Sequence, residues 1–375
     1  MHLVDLLGYP AIGGAFAVHW FGHGAPWEPA VTFVLAAIGV IPLAQLMGRA
    51  TSHLACRMGP TWGGLLNASF GNAAELMIAI IALTKGLNAM VKASVTGSIL
   101  GNLLLVAGGA MVVGGWGREE QQFSRQAAET NAGLLTLAVA AMLCPAIFHF
   151  SAERLHDRAL VEHEWGVSLA TSVVLLLIYG LGLLFTLRTH KHLFSSESHG
   201  GKHGGPRWSV GRSVGLLLLA SAGIGVVAEL LVASAAAVAE SVGWSPVFVG
   251  VILLAIVGNA AEHSTAVQLA HADDMDTAMT ITYQSSLQIA LFVTPVLVFT
   301  SAALVALGLP HAVHLDLVFT PLEVVSVMLT VFTVVVICMN GRTNWFEGTL
   351  LLGLYLILGI AFFYVPTGPG APAAH

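Results

Sequence analysis

Gly71-Asn72-Ala73-Ala74-Glu75 recurs 187 residues later as Gly258-Asn259-Ala260-Ala261-Glu262. Sliding the chain by that offset without gaps also pairs Gly63 with Gly250, Ala79 with Ala266, Ser98 with Ser285, Leu100 with Leu287 and Leu104 with Leu291. The match covers two successive apolar segments in each half, so the chain carries an internal duplication rather than a chance pentapeptide. Both pentapeptides lie inside long apolar runs, and that placement decides the fold class.

Only 14 of the 375 residues are Lys or Arg and 20 are Asp or Glu, while 56% are hydrophobic. The mean hydropathy is +0.83. A soluble core of this length cannot bury so much apolar surface. A soluble enzyme, a disordered chain and a nucleic-acid binder, which would show a basic patch, are all excluded. Cys56, Cys144 and Cys338 supply neither a disulfide framework nor a CxxC knuckle. The composition is that of a polytopic membrane protein.

A crossing helix needs about 20 mainly apolar residues. Ten such segments are read, at about 29–48 (A), 63–84 (B), 92–115 (C), 130–150 (D), 166–187 (E), 213–238 (F), 247–270 (G), 278–306 (H), 317–339 (I) and 345–364 (J). A weaker run at Ala11–Phe21 is read as an eleventh span, since Met1–Asp5 lacks the positive region of a cleaved signal. The predicted fold is therefore all-α, with about 11 transmembrane helices: one N-terminal helix (1–28), a five-helix repeat (29–187), a linker (188–212), a second five-helix repeat (213–365) and a tail (366–375). Segment G lies five spans after B, an odd number, so the two copies face opposite ways across the bilayer, as in inverted-repeat transporters. Assigning the A–B, C–D, E–F, G–H and I–J loops to one side collects ten of the fourteen Lys and Arg residues there. That side is expected to be cytoplasmic, in a cell (inner) membrane, with the C-terminus outside.

The linker is polar and contains His190, His192, His199 and His203; a solvated connector is expected ahead of a metal sensor. The acidic G–H turn from His271 to Asp276 is expected to be solvated, and able to attract cations to the cytoplasmic mouth. Trp20, Trp27, Trp116, Trp208, Trp244 and Trp345 near span ends read as interfacial anchors.

A charged side chain at mid-bilayer costs roughly 2.5–3.5 kcal/mol on insertion scales, so Glu75 and Glu262 call for a function. Asn72 and Asn259 precede them by three residues and share their helix faces. Gly71 and Gly258 allow close approach, or a helix break that frees carbonyls. By the repeat symmetry the two pairs meet mid-membrane. Paired carboxylates with amide and carbonyl oxygens suit Ca²⁺, which takes six to eight oxygen ligands. The same pair takes up protons when the metal leaves, which is the minimum machinery of an exchanger. At matched positions, Ser98 and Asn102 in C, and Ser285 and Gln288 in H, are candidate cation/proton ligands. Glu229 in F and His263 beside Glu262 are candidate proton relays. Glu129, Glu240 and Glu323 fall near span ends, where a solvated or interfacial setting is expected. No catalytic residue and no cofactor is expected; the ions are cargo, the partners are Ca²⁺, protons and the lipid bilayer, and a homo-oligomer is a further candidate.

With these residues in hand, the chain resembles the Ca²⁺/H⁺ antiporters, the cation/proton exchanger branch of the Ca²⁺/cation antiporter superfamily. GGLLNASFGNAAEL (63–76) and GSILGNLLLVAGG (97–109) are similar to the first family repeat. VGVILLAIVGNAAEH (249–263), SSLQIALFVTP (285–295) and NWFEG (344–348) are similar to the second and to the segment before the last helix. The resemblance implies an eleven-helix fold and Ca²⁺ release coupled to proton entry. It also implies that Glu75 and Glu262 are the acidic sites, with Asn72, Asn259, Ser98, Asn102, Ser285 and Gln288 around them. Gln284 stands where the family usually has Gly before the Ser pair. Exchange of Na⁺ or K⁺ is the near alternative, but Ala73-Ala74 and Ala260-Ala261 offer no hydroxyl ligands for it. An intramembrane metalloprotease is excluded because Val167 ends the one His-Glu start, His163-Glu164. A passive channel would not require the inverted duplication.

Overall fold

The computed structural model describes residues 3–155, 163–189 and 208–365. The linker histidines His190, His192, His199 and His203 and the tail 366–375 lie outside them. The described chain is built of helices α1 (Leu3–Phe21), α2 (Glu28–Phe70), α3 (Ala73–Thr84), α4 (Asn88–Gly115), α5 (Arg125–Leu155) and α6 (Glu164–Arg188). The second half supplies α7 (Val210–Val242), α8 (Pro246–Gly258), α9 (Ala260–His271), α10 (Met275–Ala306), α11 (Pro321–Cys338) and α12 (Trp345–Phe363). Among the described residues, eight helices are long and apolar enough to cross a bilayer, or nine when α8 and α9 count as one bent span. The eleven-span expectation adds α1 and the span containing α3 to these.

The helices start and stop where their sequences dictate. Ser209 and Ser245 cap α7 and α8 by accepting from Arg212 and Phe248 backbone N–H groups. Thr320/Glu323 and Asn344/Glu347 form capping boxes that open α11 and α12. Gly243, at φ 76°, closes α7 in the left-handed conformation that glycine adopts without strain.

Segments B and G, read from sequence as single runs, are each broken at the repeated motif. Helix α2 ends at Phe70, and α3 restarts at Ala73 with Asn72 as its N-cap. The α8–α9 pair bends by 60° at Asn259, the N-cap of α9. Hydropathy does not register this break, because one Gly and one Asn leave a long run apolar on average while lowering its local helix propensity. The helices that follow carry π-helical turns at matched places, Gly101–Val106 within α4 and Ile289–Val293 within α10, and α8 carries another at Val249–Leu254.

The core is an apolar cluster running through both halves. Helices α4 and α8 cross with almost no gap. A Cβ on Gly97 would collide with the Val251 backbone, and one on Gly250 would come within 2.6 Å of the Met90 carbonyl. Both positions therefore require glycine. Helices α1, α2 and α7 pack together to one side.

One small departure from an all-α fold is a two-residue antiparallel ribbon, β1 (Gln121–Gln122) with β2 (Arg342–Thr343), extended by Phe123 N–H donating to Gly341 O at 3.0 Å. It ties together the loops after α4 and α11. The acidic turn at 271–276 belongs to the same clasp. Asp273 pairs with Arg118 at 3.3 Å, Asp274 caps α10, and Asp276 accepts from Ser124 N–H at 2.8 Å. The expected solvated turn is thus also a structural tie, although Asp273 keeps most of its side chain exposed. Trp20, Trp27, Trp116 and Trp345 are exposed, as anchors require. Trp208 instead stacks on His53 at 4.5 Å and lies under the Arg212 guanidinium.

Candidate functional site

Asn72 and Asn259 occupy equivalent N-cap positions at the two breaks, and Glu75 and Glu262 fall in the first turns of α3 and α9. Because the chain breaks there, each motif presents its side chains from a half-helix terminus rather than from a continuous ladder, and the two motifs cross. A Cβ on Gly258 would sit 3.1 Å from Glu75 Cγ. At this crossing the carboxyl groups of Glu75 and Glu262 are close enough to act on each other electrostatically. The two acids predicted from the repeat therefore do converge.

Amide side chains frame the pair, each bridging the two halves. Asn72 Nδ2 donates to Gln288 Oε1 at 2.9 Å. Asn259 Nδ2 donates to Ser98 Oγ and to Ala255 O, each at 2.9 Å, and Asn259 Oδ1 accepts from Asn102 Nδ2 at 3.3 Å. The duplication is symmetric in sequence, but this network is not. Asn259 has both ends of its amide engaged, whereas Asn72 Oδ1 is buried with no partner. The reason lies in the partner helices: under the 187-residue offset Gln288 matches Gly101 and Asn102 matches Ile289, so the two asparagines meet different chemistry.

Four buried oxygens around the crossing have no hydrogen-bond donor: Asn72 Oδ1, Glu75 Oε1, Glu75 Oε2 and Glu262 Oε2. Unmatched buried acceptors of this density are costly and call for a cation or protons among them. Among the described residues no three His, Cys, Asp or Glu side chains cluster as a metal site. A hard cation here would draw its remaining ligands from amide, hydroxyl and freed backbone carbonyl oxygens, the donor class Ca²⁺ prefers.

The other predicted residues divide. Ser285 is buried one turn from Gln288, on the same face, and no side-chain hydrogen bond holds it to the described residues. His263 Nε2 is buried without a partner and faces Gly101 across 4.0 Å from that residue's ideal Cβ position. Glu229 does not join the pair. Its carboxylate is exposed on α7 and pairs with Lys85 at 3.3 Å. Lys85 follows α3, ten residues beyond Glu75.

Sequence reasoning misjudged Glu323. It is buried, not solvated: Oε2 accepts from Thr320 N–H and Oγ1 at 2.8 Å each, and Oε1 accepts from Thr96 Oγ1 at 3.3 Å. The Thr-Pro-Leu-Glu spacing was the available signal, since it spells a capping box at a helix start. Gln284, the residue in place of the usual glycine, donates from Nε2 to Asn131 Oδ1 at 3.3 Å and so bridges α10 to α5.

The two half-helices differ in exposure. Glu75 is 8% exposed and Ile78 on the same half-helix is buried. Their counterparts on α9 are less buried: Glu262 is half-buried and Thr265, which matches Ile78 under the offset, is exposed.

Known proteins resemble this chain along most of its length. The model of the sodium/calcium exchanger protein family matches residues 28–188 and 212–364. The chain is 41% identical over 361 residues to a Ca²⁺/H⁺ antiporter of Aphanothece halophytica, covering 93% of this chain and 94% of that one. It is 42% identical over 371 residues to a Ca²⁺/H⁺ antiporter of Synechocystis, covering 94% and 95%. The solved structure of the Ca²⁺/H⁺ antiporter protein YfkE superposes with a TM-score of 0.77 at 36% identity, covering 97% of this chain and 99% of that one. With its duplicated motifs crossing at one pair of acids, the chain belongs to the sodium/calcium exchanger protein family.

Proposed function

We propose that this protein is a secondary transporter that exchanges Ca²⁺ for H⁺ by alternating access. The observation that carries the reading is the set of four donorless buried oxygens at the crossing of the two GNAAE motifs. That arrangement needs positive charge and can take it as one divalent cation or as protons on the carboxyls. A divalent ion between Glu75 and Glu262 neutralises both; protonation of either supplies the missing donor and removes a ligand charge. Occupancy by metal and by protons is therefore mutually exclusive, which couples the two fluxes. The relatives called Ca²⁺/H⁺ antiporters support this assignment over a Na⁺- or K⁺-exchanging alternative.

Asn72, Asn259, Ser98, Asn102, Ser285 and Gln288 would serve as ligands or as supports that orient them, and His263 as a proton carrier beside the pair. The repeats 29–187 and 213–365, with the preceding helix 1–28, a cytoplasmic linker 188–212 and an external tail 366–375, give the orientation that the Lys and Arg distribution favours. In a bacterial-type inner membrane the exchange would export cytoplasmic Ca²⁺ at the expense of the proton gradient, with no bond made or broken in the cargo.

The test is ⁴⁵Ca uptake into proteoliposomes driven by an imposed proton gradient. Glu75→Gln and Glu262→Gln should each abolish it. Full uptake by either variant removes that residue from the site, and uptake without any pH gradient replaces exchange by a channel.

A further inference from the structure

Glu75 and Ile78 on α3 are buried, whereas Glu262 and Thr265 on α9 are not, and the end of α3 carries an ion pair to α7. Helix α3 packs on α7, where a Cβ on Gly225 would stand 3.4 Å from Met77 Cε, and Lys85 Nζ meets Glu229 Oε1 at 3.3 Å. Under the 187-residue offset Lys85 matches Ala272, so the α9 half cannot form the same bond. Glu229 belongs to the α1–α2–α7 group, whereas Lys85 belongs to the half-helix that carries Glu75.

We infer that the Lys85–Glu229 ion pair is a latch: it holds α7 against α3, closes that end of the cation site, and biases the resting protein toward the conformer open along α9. This rests on reading the site as one served by alternating access. Two repeats of one sequence would by themselves give two conformers of similar energy. A bond available to only one of them breaks that balance and sets which side of the membrane the empty site faces. A partly exposed ion pair is worth up to about 1 kcal/mol, a roughly fivefold change in the ratio of the two conformers. That is small enough for the latch to open in every cycle and large enough to change sidedness. Other charged groups near Lys85 and Lys92 do not bridge these units: Lys92 pairs with Asp316 at 2.8 Å, within the part that carries α4 and α11.

The experiment uses the full-length protein in proteoliposomes, with the exposed cysteines Cys56 and Cys144 replaced by Ser and a single reporter, Met77→Cys, at the α3–α7 contact. The reading is the labelling rate with a hydrophilic maleimide, without Ca²⁺. Lys85→Met and Glu229→Gln should each raise that rate about three- to fivefold. The double neutral variant should show no more than either single, and the reversed pair Lys85→Glu with Glu229→Lys should return toward the parent. Thermal unfolding reports folding independently; should the reversed pair fail to fold, the double neutral variant decides. Unchanged labelling in the single variants, or additive effects in the double, overturns the latch. Because labelling needs no transport, a parent protein that labels as expected but shows no proton-driven ⁴⁵Ca uptake defeats the exchanger reading instead.

Discussion

Replacing Glu75 by Gln should make the metal-free protein more stable while removing its ability to be stabilised by Ca²⁺. The side chain keeps its volume, but one acceptor oxygen becomes an N–H donor directed at the crossing. In the parent, Glu75 Oε1 and Oε2 and Glu262 Oε2 are buried with no donor, and an unmatched buried polar atom costs roughly 1–3 kcal/mol. Donation to Glu262 Oε2 recovers about one such penalty and also removes a like-charge contact, so the midpoint of unfolding in chelator should rise by a few degrees. With Ca²⁺ at a thousandfold its dissociation constant, binding stabilises the parent by about 4.1 kcal/mol and the variant by essentially nothing. The order of the two proteins therefore inverts on adding Ca²⁺. Intrinsic fluorescence from the eight Trp residues gives the assay in detergent. The difference in chelator should shrink as the pH falls, because a proton on either parent carboxyl supplies the same donor. A variant no more stable than the parent in chelator at alkaline pH, or one that retains the full Ca²⁺ shift, refutes the account of the site as a cluster of donorless oxygens.

Asn72→Ala, which deletes the one unpartnered amide oxygen of the site, should raise the Ca²⁺ concentration needed for half-maximal uptake about tenfold, equivalent to about 1.4 kcal/mol; concentration series of ⁴⁵Ca uptake measure it. Glu323→Ala should lower unfolding stability by roughly 1–3 kcal/mol, since Thr320 and Thr96 lose their acceptor, while the variant that does fold exchanges Ca²⁺ with unchanged affinity. Gly97→Ala, forced into the Val251 backbone, should cost more than about 1–3 kcal/mol and deplete the monodisperse fraction in size-exclusion chromatography. Gly353→Ala, which meets nothing within 4 Å, should behave as the parent in the same measurement.

The sequence alone determined the membrane class, the duplication and the two acids, because each follows from quantities a linear chain displays: apolar run length, a fixed offset, and the cost of charge in hydrocarbon. The helix breaks were half legible. Gly71 and Gly258 suggested them, but a break of one or two small residues leaves hydropathy intact, so B and G read as unbroken runs. The environment of Glu323 was misjudged because position near a span end says nothing about the loop that folds over it; Thr320 and Thr96, the latter 227 residues away, bury it together. Glu229 reads as an intramembrane acid in one dimension, yet it is an exposed partner of Lys85 once α7 lies on α3. Asn72 and Asn259 are identical in the repeat and differ in the fold, since the groups they meet come from the opposite half, where Gln288 replaces a glycine and Asn102 an isoleucine. Duplication fixes which residues are equivalent, whereas equivalence of surroundings depends on contacts between halves that have diverged. The unequal exposure of Ile78 and Thr265 is therefore a property of the packed structure and not of the repeat.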